Sequence, residues 1–275
     1  MKISIIIPSY NQAQFLQATI DSIVTQNYPE KEIIILDGGS TDGSVKIIER
    51  NARYLADWSS GPDGGQANAI STGFDRATGE IIGWVNSDDT LAPGALERVA
   101  AAAHRLGSAD AVFYGGCEVI DDAGAVQEVI RGVPAIGWLA RAIGPVVCQP
   151  GTFFGRAAYL AVGQVDTTLQ YAMDLDLWMK FVTGGVPFVR IAGVQGQFRA
   201  HSQQKGHSRE WIKTCMRDEE RVRQRYGMAS LGSFRRFVAH QALRAVRASS
   251  GQVSTVAFRL VHHRRLRAFA VDYSA

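Results

Sequence analysis

Three short apolar runs in the first third of the chain constrain the fold more than any other feature. Residues 3–7, 32–36 and 81–85 are rich in isoleucine, and each is followed by a polar loop. Apolar runs without polar alternation are typical of strands buried on both faces of a parallel sheet. The segments between them space apolar residues as a helix does. This alternation predicts βαβ units and an α/β fold with a mostly parallel, Rossmann-like sheet.

The rest of the chain predicts further elements. Strands are expected near 53–58, at 109–116, at 117–120, as a pair within 144–156, and at 186–191. Helices are expected at 14–26, 44–50, 67–77, 93–106 and 175–182. From about residue 208 the pattern becomes helical and basic, with amphipathic helices expected at 211–226, 233–248 and 256–271. These last helices form a predicted C-terminal helical appendage.

Two adjacent carboxylates, Asp88 and Asp89, come just after the third apolar run. Ligands of open α/β sheets bind beyond the carboxyl ends of the strands. Hard cations such as Mg²⁺ and Mn²⁺ take oxygen ligands and are commonly shared with substrate phosphates. The pair therefore predicts a site for a divalent metal and a diphosphate, although Ser-Asp-Asp is also ordinary turn chemistry.

The loops after the first two strands carry candidate nucleotide-binding residues. A base could stack on Tyr10, with Asn11 or backbone groups reading its edge, or Asn11 could simply cap the next helix. Asp37 could accept a hydrogen bond from a base N–H or a ribose hydroxyl, or could cap a helix together with Asp42. The dinucleotide, P-loop, nucleophile-elbow and zinc-protease motifs are absent from the sequence.

Two more acids and one histidine are candidates for chemistry. Asp174 and Asp176 open a predicted helix, where a carboxylate is favourable for structural reasons alone. Either could also act as a general base, and spacing does not decide between them. His201 is a candidate structural residue that could instead complete a manganese site or contact phosphate.

Charge is distributed unevenly. Residues 1–204 carry 14 basic and 21 acidic side chains, whereas residues 205–275 carry 15 basic and 5 acidic ones. The basic segment suggests an anionic partner, for which an anionic membrane surface is the leading candidate and solvated helices packed on the main body are the alternative. Nucleic acid is not expected as a partner, because the main body is acidic and no nucleic-acid motif is found.

Cysteine usage and hydropathy bear on location. The three cysteines are far apart and form no CxxC motif, which favours a reducing compartment. No apolar stretch is long enough for a signal-peptide core or a membrane span. The expected location is cytoplasmic, with possible peripheral attachment at the inner face of the membrane.

Taken together and in this order, the motifs resemble those of inverting, non-processive glycosyltransferases of family 2, of a bacterial type. The matching stretches are residues 3–11, 37–43, 62–66, 77–89, 163–166 and 174–178. The resemblance covers about residues 1–204. It implies a glycosyltransferase-A catalytic domain, with a nucleotide-binding half at 1–92 and an acceptor-binding half at 93–204, followed by the basic helical region at 205–275.

The resemblance also implies roles for individual residues. The nucleotide-binding set comprises Pro8, Tyr10, Asn11, Asp37, Asp63 and Asp88. Asp89 is expected to bind Mn²⁺ or Mg²⁺, with Asp88 and His201 as further metal ligands. Asp174 matches the catalytic base. The sugar and acceptor pocket is expected to include Gln66, Thr152, Phe153 and Asp176.

Three departures from the family pattern qualify these roles. Gly38 stands where many members have a second Asp, which weakens the case for uridine. Met173 replaces the Glu that often precedes the base. The Gln-x-x-Arg-Trp motif of processive members is absent, which favours transfer of a single sugar.

The expected activity is the metal-dependent, inverting transfer of one sugar to an acceptor hydroxyl. The expected donor is a nucleotide-diphosphate sugar, most simply a UDP-sugar. The expected acceptor is a carbohydrate or a lipid-linked molecule in polysaccharide or glycolipid synthesis. The alternatives are a nucleotidyltransferase and a non-catalytic nucleotide-sugar-binding protein.

Overall fold

A computed structural model describes residues 1–135, 137–145, 147–201 and 209–228. The strands are β1 (Ile3–Ser9), β2 (Lys31–Asp37), β3 (Asp57–Ser60), β4 (Ile81–Trp84), β5 (Thr90–Leu91), β6 (Val112–Ile120), β7 (Val126–Ile130), β8 (Phe153–Gly155) and β9 (Phe188–Arg199). The α-helices are α1 (Ala13–Val24), α2 (Ser44–Asn51), α3 (Gln66–Arg76), α4 (Ala95–Leu106), α5 (Gly137–Ile143), α6 (Arg156–Ala161), α7 (Met173–Thr183) and α8 (Arg209–Arg225).

Within the described residues, one nine-stranded sheet runs in the order β3-β2-β1-β4-β8-β6-β9-β5, with β7 paired to β6. Strands β3, β2, β1 and β4 are parallel, as are β6 and β9, and these ladders include the longest in the sheet. Strands β5, β7 and β8 pair antiparallel to their neighbours. The predicted α/β fold with a mostly parallel sheet is confirmed.

The sheet separates two apolar cores, and alternation along the strands assigns side chains to one or the other. On β1, Ile3, Ile5 and Ile7 pack with α1, α2 and α4, whereas Ile6 packs with α3 and α7 on the opposite face. A strand buried on both faces has little room for polar residues, which explains the mainly apolar runs; their polar members Ser4 and Glu32 bond to each other.

The strand order reverses between β1 and β4. The chain proceeds outward from β1 to β2 and β3, and then returns to place β4 on the other side of β1. The β1–β4 ladder ends at the pair Ile6 and Trp84. Pro8, which has no N–H to donate, lies in β1 just beyond this point and is buried. Crevices at such reversal points bind ligands in open α/β sheets.

Several predicted elements differ from the observed ones. The strands predicted at 109–116 and 117–120 are one strand, β6, whose pairing with β9 shifts register around Gly116. The strand pair expected within 144–156 is wrong, since Phe153–Gly155 is the only strand among the described residues of that range, which exclude residue 146. The strand expected at 186–191 extends to Arg199. The helices predicted at 233–248 and 256–271 lie outside the described residues.

The first basic C-terminal helix, α8, packs on the main body. Val222 is buried, and the Asp218 carboxylate accepts hydrogen bonds from the backbone N–H groups of Gln170 and Tyr171 at 2.9 and 3.3 Å. A domain boundary near residue 204 stays a prediction. No helix among the described residues is both long enough and apolar enough to cross a bilayer.

Candidate functional site

The loops that follow β1 and β2 are interlocked. The Asn11 N–H donates to the Ser40 hydroxyl at 2.8 Å, and the Asn11 side-chain oxygen accepts from the Thr41 N–H at 2.9 Å. Asp42 accepts from the Ala13 N–H at 2.8 Å and so binds the first turn of α1 from the neighbouring loop. Burial would raise the pKa of Asp42, but hydrogen bonds from Ser44 and Ala13 hold it below its usual value. The two loops therefore form one surface.

Asp37 organises its own loop. Its carboxylate is only 2% exposed, and one oxygen accepts from the N–H groups of Gly39 and Ser40 and from the Ser60 hydroxyl at 3.1, 2.9 and 2.6 Å. The other oxygen accepts from the Ser40 hydroxyl at 2.5 Å. The donors bound by Asp37 all lie outside α2, so the alternative in which Asp37 caps that helix is not seen; Asp42 instead accepts from the N–H of Ser44, the first residue of α2, at 3.0 Å. Base recognition by Asp37 stays a prediction.

Tyr10 and Asp63 meet above Gly38. Tyr10 is 57% exposed and lies on the loop just past β1. A Cβ atom placed on Gly38 would lie 3.1 Å from Asp63 Oδ2 and 3.3 Å from Tyr10 Cδ2. The missing side chain at position 38 therefore lets an aromatic ring and a carboxylate approach the same point.

A chain of amide side chains beyond β4 links the start of α3, the turn after β4 and the segment before β8. Gln66 donates to the Asn86 side-chain oxygen at 2.7 Å. The Asn86 amide donates to Asp89 Oδ2 at 3.0 Å and to Gln149 Oε1 at 3.1 Å, and Gln149 donates to the Trp84 carbonyl at 2.8 Å. Asn86 and Gln149 were not predicted, because their role depends on contacts across more than sixty residues.

Asp89, the predicted metal ligand, is buried and engaged by protein. It is 1% exposed; Oδ1 accepts from the Arg199 N–H at 2.9 Å, and Oδ2 accepts from Asn86. Burial and the nearby Asp88 carboxylate raise the pKa of Asp89 well above its usual range, against the lowering effect of these hydrogen bonds. In this geometry both oxygens of Asp89 accept from protein groups and anchor the turn to β9, while metal binding by Asp89 stays a prediction.

Asp88 is the accessible member of the acid pair. Its side chain is 17% exposed, and its Oδ2 lies 3.1 Å from Nε2 of His201, whose side chain is 1% exposed. Phe15 packs against the imidazole with ring centroids 4.5 Å apart. Nδ1 of His201 is buried and has no partner among the described residues. The structure thus brings together two of the three predicted metal ligands.

The Asp88–His201 pair has the spacing of two neighbouring metal ligands. Two ligands about 2.1 Å from an octahedral ion, at right angles, are about 3.0 Å apart. The observed separation of 3.1 Å is that of a hydrogen bond and also matches this value. Within the described residues, no group of three or more His, Cys, Asp or Glu side chains is positioned to hold an ion. A metal at this position would therefore need further ligands from substrate phosphate or water.

Arg199 holds in place the turn that carries Asp88 and Asp89, which we call the acid turn. Besides the backbone bond to Asp89, its Nε donates to the Asp88 carbonyl at 2.9 Å, and its Nη1 donates to the carbonyls of Asp121 and Asp122 at 2.8 and 3.1 Å. Sequence reasoning missed Arg199. The available signal was a basic residue at the end of an apolar segment, two positions before His201.

Helix α1 holds the segment that follows the acid turn. Thr19, Ser22 and Gln26 lie along one face of the helix. They contact, in order, the Asp89 carbonyl at 2.7 Å, the Leu91 N–H at 3.1 Å and the Ala92 carbonyl at 3.0 Å. The helix that begins beside the Tyr10 loop is therefore fixed to the acid turn.

Asp174 and Asp176 occupy different environments. Asp174 is partly exposed in the first turn of α7, where Oδ1 accepts from the Leu175 N–H at 2.8 Å. One turn later Trp178 stacks on Trp84 with centroids 5.8 Å apart, which brings α7 beside the end of β4. Asp176 is 0% exposed.

The buried Asp176 joins helices α7 and α8. Its Oδ1 accepts from Arg225 at 2.7 Å and from the Tyr226 hydroxyl at 3.1 Å, and Lys180 Nζ lies 2.9 Å from its Oδ2. Asp166 also accepts from Arg225, at 2.9 Å. This network attaches the basic helix, and the Asp176 carboxylate faces α8 and not a pocket.

The two other predicted pocket residues are also internal. Phe153 is fully buried in the core and covers Gly83, where an added Cβ would lie 2.5 Å from the Phe153 ring. The Thr152 hydroxyl is buried and donates to the Cys148 carbonyl at 2.5 Å. Neither side chain lies at the surface of the crevice.

Residues 4–158 match the family model described as glycosyl transferase family 2. An uncharacterized glycosyltransferase of Rickettsia felis is 28% identical over 192 residues, covering 66% of this chain and 31% of the relative. Another, from Nostoc, is 37% identical over 102 residues, covering 36% of this chain and 32% of the relative. The chain spans about a third of the length of these two curated relatives.

Solved structures share the fold. The crystal structure of S. aureus TarS residues 1–349 with UDP-GlcNAc has a TM-score of 0.59 at 18% identity, covering 79% of this chain and 66% of that one. The mannosyltransferase PcManGT from Pyrobaculum calidifontis, in complex with GDP-Man and Mn²⁺, has a TM-score of 0.58 at 17% identity, covering 98% and 78%. Because the family model covers more than half of the sequence, the chain belongs to glycosyl transferase family 2.

Proposed function

We propose that this chain transfers a single sugar, with inversion, from a nucleotide-diphosphate sugar to an acceptor hydroxyl in a divalent-metal-dependent reaction. The observation that carries the proposal is the Asp88–His201 pair, which lies beyond β4 at the reversal of the sheet. The interlocked loops of Tyr10 and Asp37 follow β1 and β2, whose carboxyl ends point the same way as that of β4. Family membership and the UDP and UDP-GlcNAc complexes of TarS support a UDP-sugar as the donor.

The metal would be held by Asp88 and His201. Their spacing and the partial exposure of the Asp88 side chain support this role, whereas Asp89 has both oxygens bound to protein groups. An imidazole nitrogen beside a carboxylate favours a transition ion over Mg²⁺, which prefers oxygen ligands. We therefore favour Mn²⁺, the ion in the PcManGT complex. When bound, the ion would stabilise negative charge on the departing diphosphate.

Asp174 is the proposed general base. It lies at the start of a helix that is held against β4 by the stacking of Trp178 on Trp84. The Asp174 carboxylate would accept the proton of the acceptor hydroxyl as that oxygen attacks the anomeric carbon. Direct displacement of this kind inverts the anomeric configuration. Asp176 is excluded from the role by its complete burial and its bonds to α8.

The acceptor is proposed to be a carbohydrate or a lipid-linked saccharide of the cell envelope. Attachment to anionic membrane would place the enzyme beside a lipid-linked acceptor. Of the basic residues in the described part of the tail, Arg221, Arg223 and Arg225 already pair with protein carboxylates. Membrane attachment therefore depends on the remaining basic residues of the tail.

A donor screen that detects release of nucleoside diphosphate, with Mn²⁺ and candidate acceptors present, tests the function. We expect release of nucleoside diphosphate, loss of activity with a chelator, and recovery on adding Mn²⁺. Release of pyrophosphate would instead identify a nucleotidyltransferase. Donor binding without turnover on any acceptor would favour a non-catalytic binding protein.

Variants separate the proposed roles. Asp174→Asn should lower kcat by roughly 10²- to 10⁴-fold while donor affinity is retained. Asp88→Ala and His201→Ala should weaken Mn²⁺-dependent donor binding, measured by calorimetry. Asp110→Asn is the matched control, because Asp110 is exposed and lies just before the amino end of β6, away from the carboxyl end of β4. Unchanged Mn²⁺ dependence in Asp88→Ala would refute the metal assignment.

A further inference from the structure

We propose that Asp63 reads the base of the donor and selects bases that present a ring N–H on their Watson–Crick edge, namely uracil or guanine, over cytosine and adenine. This inference rests on the proposed function, since it requires a nucleotide donor. It assigns base selection to the loop between β3 and α3 and gives Asp37 a positioning role.

Asp37 is poorly placed to read a ligand. Four donors from Gly39, Ser40 and Ser60 occupy its two oxygens, and its side chain is almost wholly buried. A hydrogen bond from a base would have to compete with these bonds inside the protein. Its carboxylate instead fixes the shape of the loop on which Gly38 lies.

Tyr10 provides the surface on which a base can stack. It is a large exposed side chain on the loop past β1, next to the reversal of the sheet. An aromatic ring stacks on any base and therefore contributes affinity without selecting among bases. Selection requires a polar group beside the ring, at the height of the base edge.

Asp63 is that group. Because Gly38 has no side chain, Asp63 Oδ2, Asp63 Oδ1 and the Tyr10 ring lie 3.1, 3.3 and 3.3 Å from the same point. Asp63 Oδ1 accepts from the Gly65 N–H at 2.8 Å, which orients the carboxylate. Among the residues that the structure describes, none donates to Oδ2. One oxygen is thus fixed by the protein and the other faces the space beside Tyr10.

The chemistry of a carboxylate determines which bases it accepts. An ionised carboxylate only accepts hydrogen bonds. Uracil N3–H and guanine N1–H are ring donors, and guanine adds a neighbouring amino group. Cytosine N3 and adenine N1 are ring acceptors at the same position, so each would place a lone pair against Oδ2. Hydrogen bonds to charged groups are strong enough to discriminate about 10- to 100-fold.

Asp63→Asn should abolish this preference. The Gly65 N–H requires an oxygen at the Oδ1 position, so the new NH₂ group takes the place of Oδ2 and presents donors to the base. We would measure the affinities of UDP, GDP, CDP and ADP by calorimetry with Mn²⁺ present. We expect the wild-type protein to bind UDP or GDP at least 10-fold more tightly than CDP, and Asp63→Asn to reduce that ratio at least 10-fold.

Two further variants test whether the selectivity depends on the position of the Asp63 carboxylate or on the general shape of the loops. Gly38→Ala adds a methyl group 3.1 Å from Asp63 Oδ2 and 3.3 Å from the Tyr10 ring, so these groups must shift by a few tenths of an ångström. It should therefore also reduce the ratio, although no polar group is lost. Asp37→Asn should weaken all four nucleotides alike and leave the ratio unchanged. Asp110→Asn is again the matched control.

The outcomes are distinguishable from failure of the proposed function. If the wild-type protein binds none of the four nucleotides, both proposals fail. If it binds UDP or GDP selectively and the selectivity survives in both Asp63→Asn and Gly38→Ala, only the assignment to Asp63 fails. If Asp37→Asn alone removes the selectivity, Asp37 is the reader.

Discussion

Glu32 allows a stability prediction that can be worked through from the structure. This buried carboxylate lies at the beginning of β2 and accepts hydrogen bonds from Ser4, at 2.5 Å, and from the N–H and hydroxyl of Thr78, at 2.6 and 2.8 Å. Lys2 Nζ lies 2.5 Å away. Burial opposes ionisation, but these partners outweigh it and lower the pKa of Glu32 from 4.5 to about 2.

The lowered pKa of Glu32 sets both the size of its contribution to folding stability and the pH dependence of that contribution. A folded-state pKa below the unfolded one stabilises the protein above the unfolded pKa, and the effect is lost as the pH falls toward the folded pKa. A shift of about 2.5 units corresponds to about 3 kcal/mol at pH 7, and about 1.4 kcal/mol of it remains at pH 3. Glu32→Gln keeps the shape but cannot ionise, so it should lose this contribution.

Urea unfolding of wild type and Glu32→Gln at pH 7, 4 and 3 measures the effect. We expect the difference in unfolding free energy to fall by about half between pH 7 and pH 3. Glu30→Gln, an exposed neighbour, is the control and should change stability by less than about 0.5 kcal/mol. A deficit for Glu32→Gln that is the same at all three pH values would show that charge at this position does not stabilise the fold.

Two further predictions concern packing. Gly83→Ala should destabilise the protein by about 1–3 kcal/mol in urea unfolding, because its Cβ would lie 2.5 Å from Phe153, whereas Gly137→Ala, with open space around it, should be nearly neutral. Asp176→Asn and Arg225→Met should both increase hydrogen exchange in α8 while protection of the sheet is retained, since these residues join α7 and α8. Unchanged α8 protection in both variants would contradict the role given to this network.

The strands that position the site could be predicted because they are buried on both faces. The runs at 3–7, 32–36 and 81–85 carry no polar alternation, and each became a strand within about two residues of its predicted ends. Strand β6 was divided in the prediction because Gly115 and Gly116 resemble a break. In the structure these glycines allow close approach of the β9 backbone at an irregularity in the pairing.

The site was only partly predictable, because sequence reveals the residue types but not their partners. Asp88 and His201 were both candidates, and the fold brings them together across more than a hundred residues. Sequence alone could not show that Asp89 faces Arg199, since either member of an adjacent acid pair could have been the buried one. Likewise, sequence alone could not show that hydrogen-bond donors occupy both oxygens of Asp37, because one donor, Ser60, belongs to a different strand.

The row of polar side chains on α1 limits how this protein can admit a ligand. The N-terminus of α1 follows the Tyr10 loop, and one face of the helix is hydrogen-bonded to the segment that begins at the acid turn, through Thr19, Ser22 and Gln26. These two parts of the crevice cannot separate without breaking buried bonds. A ligand in this crevice therefore meets two surfaces whose separation is fixed by α1.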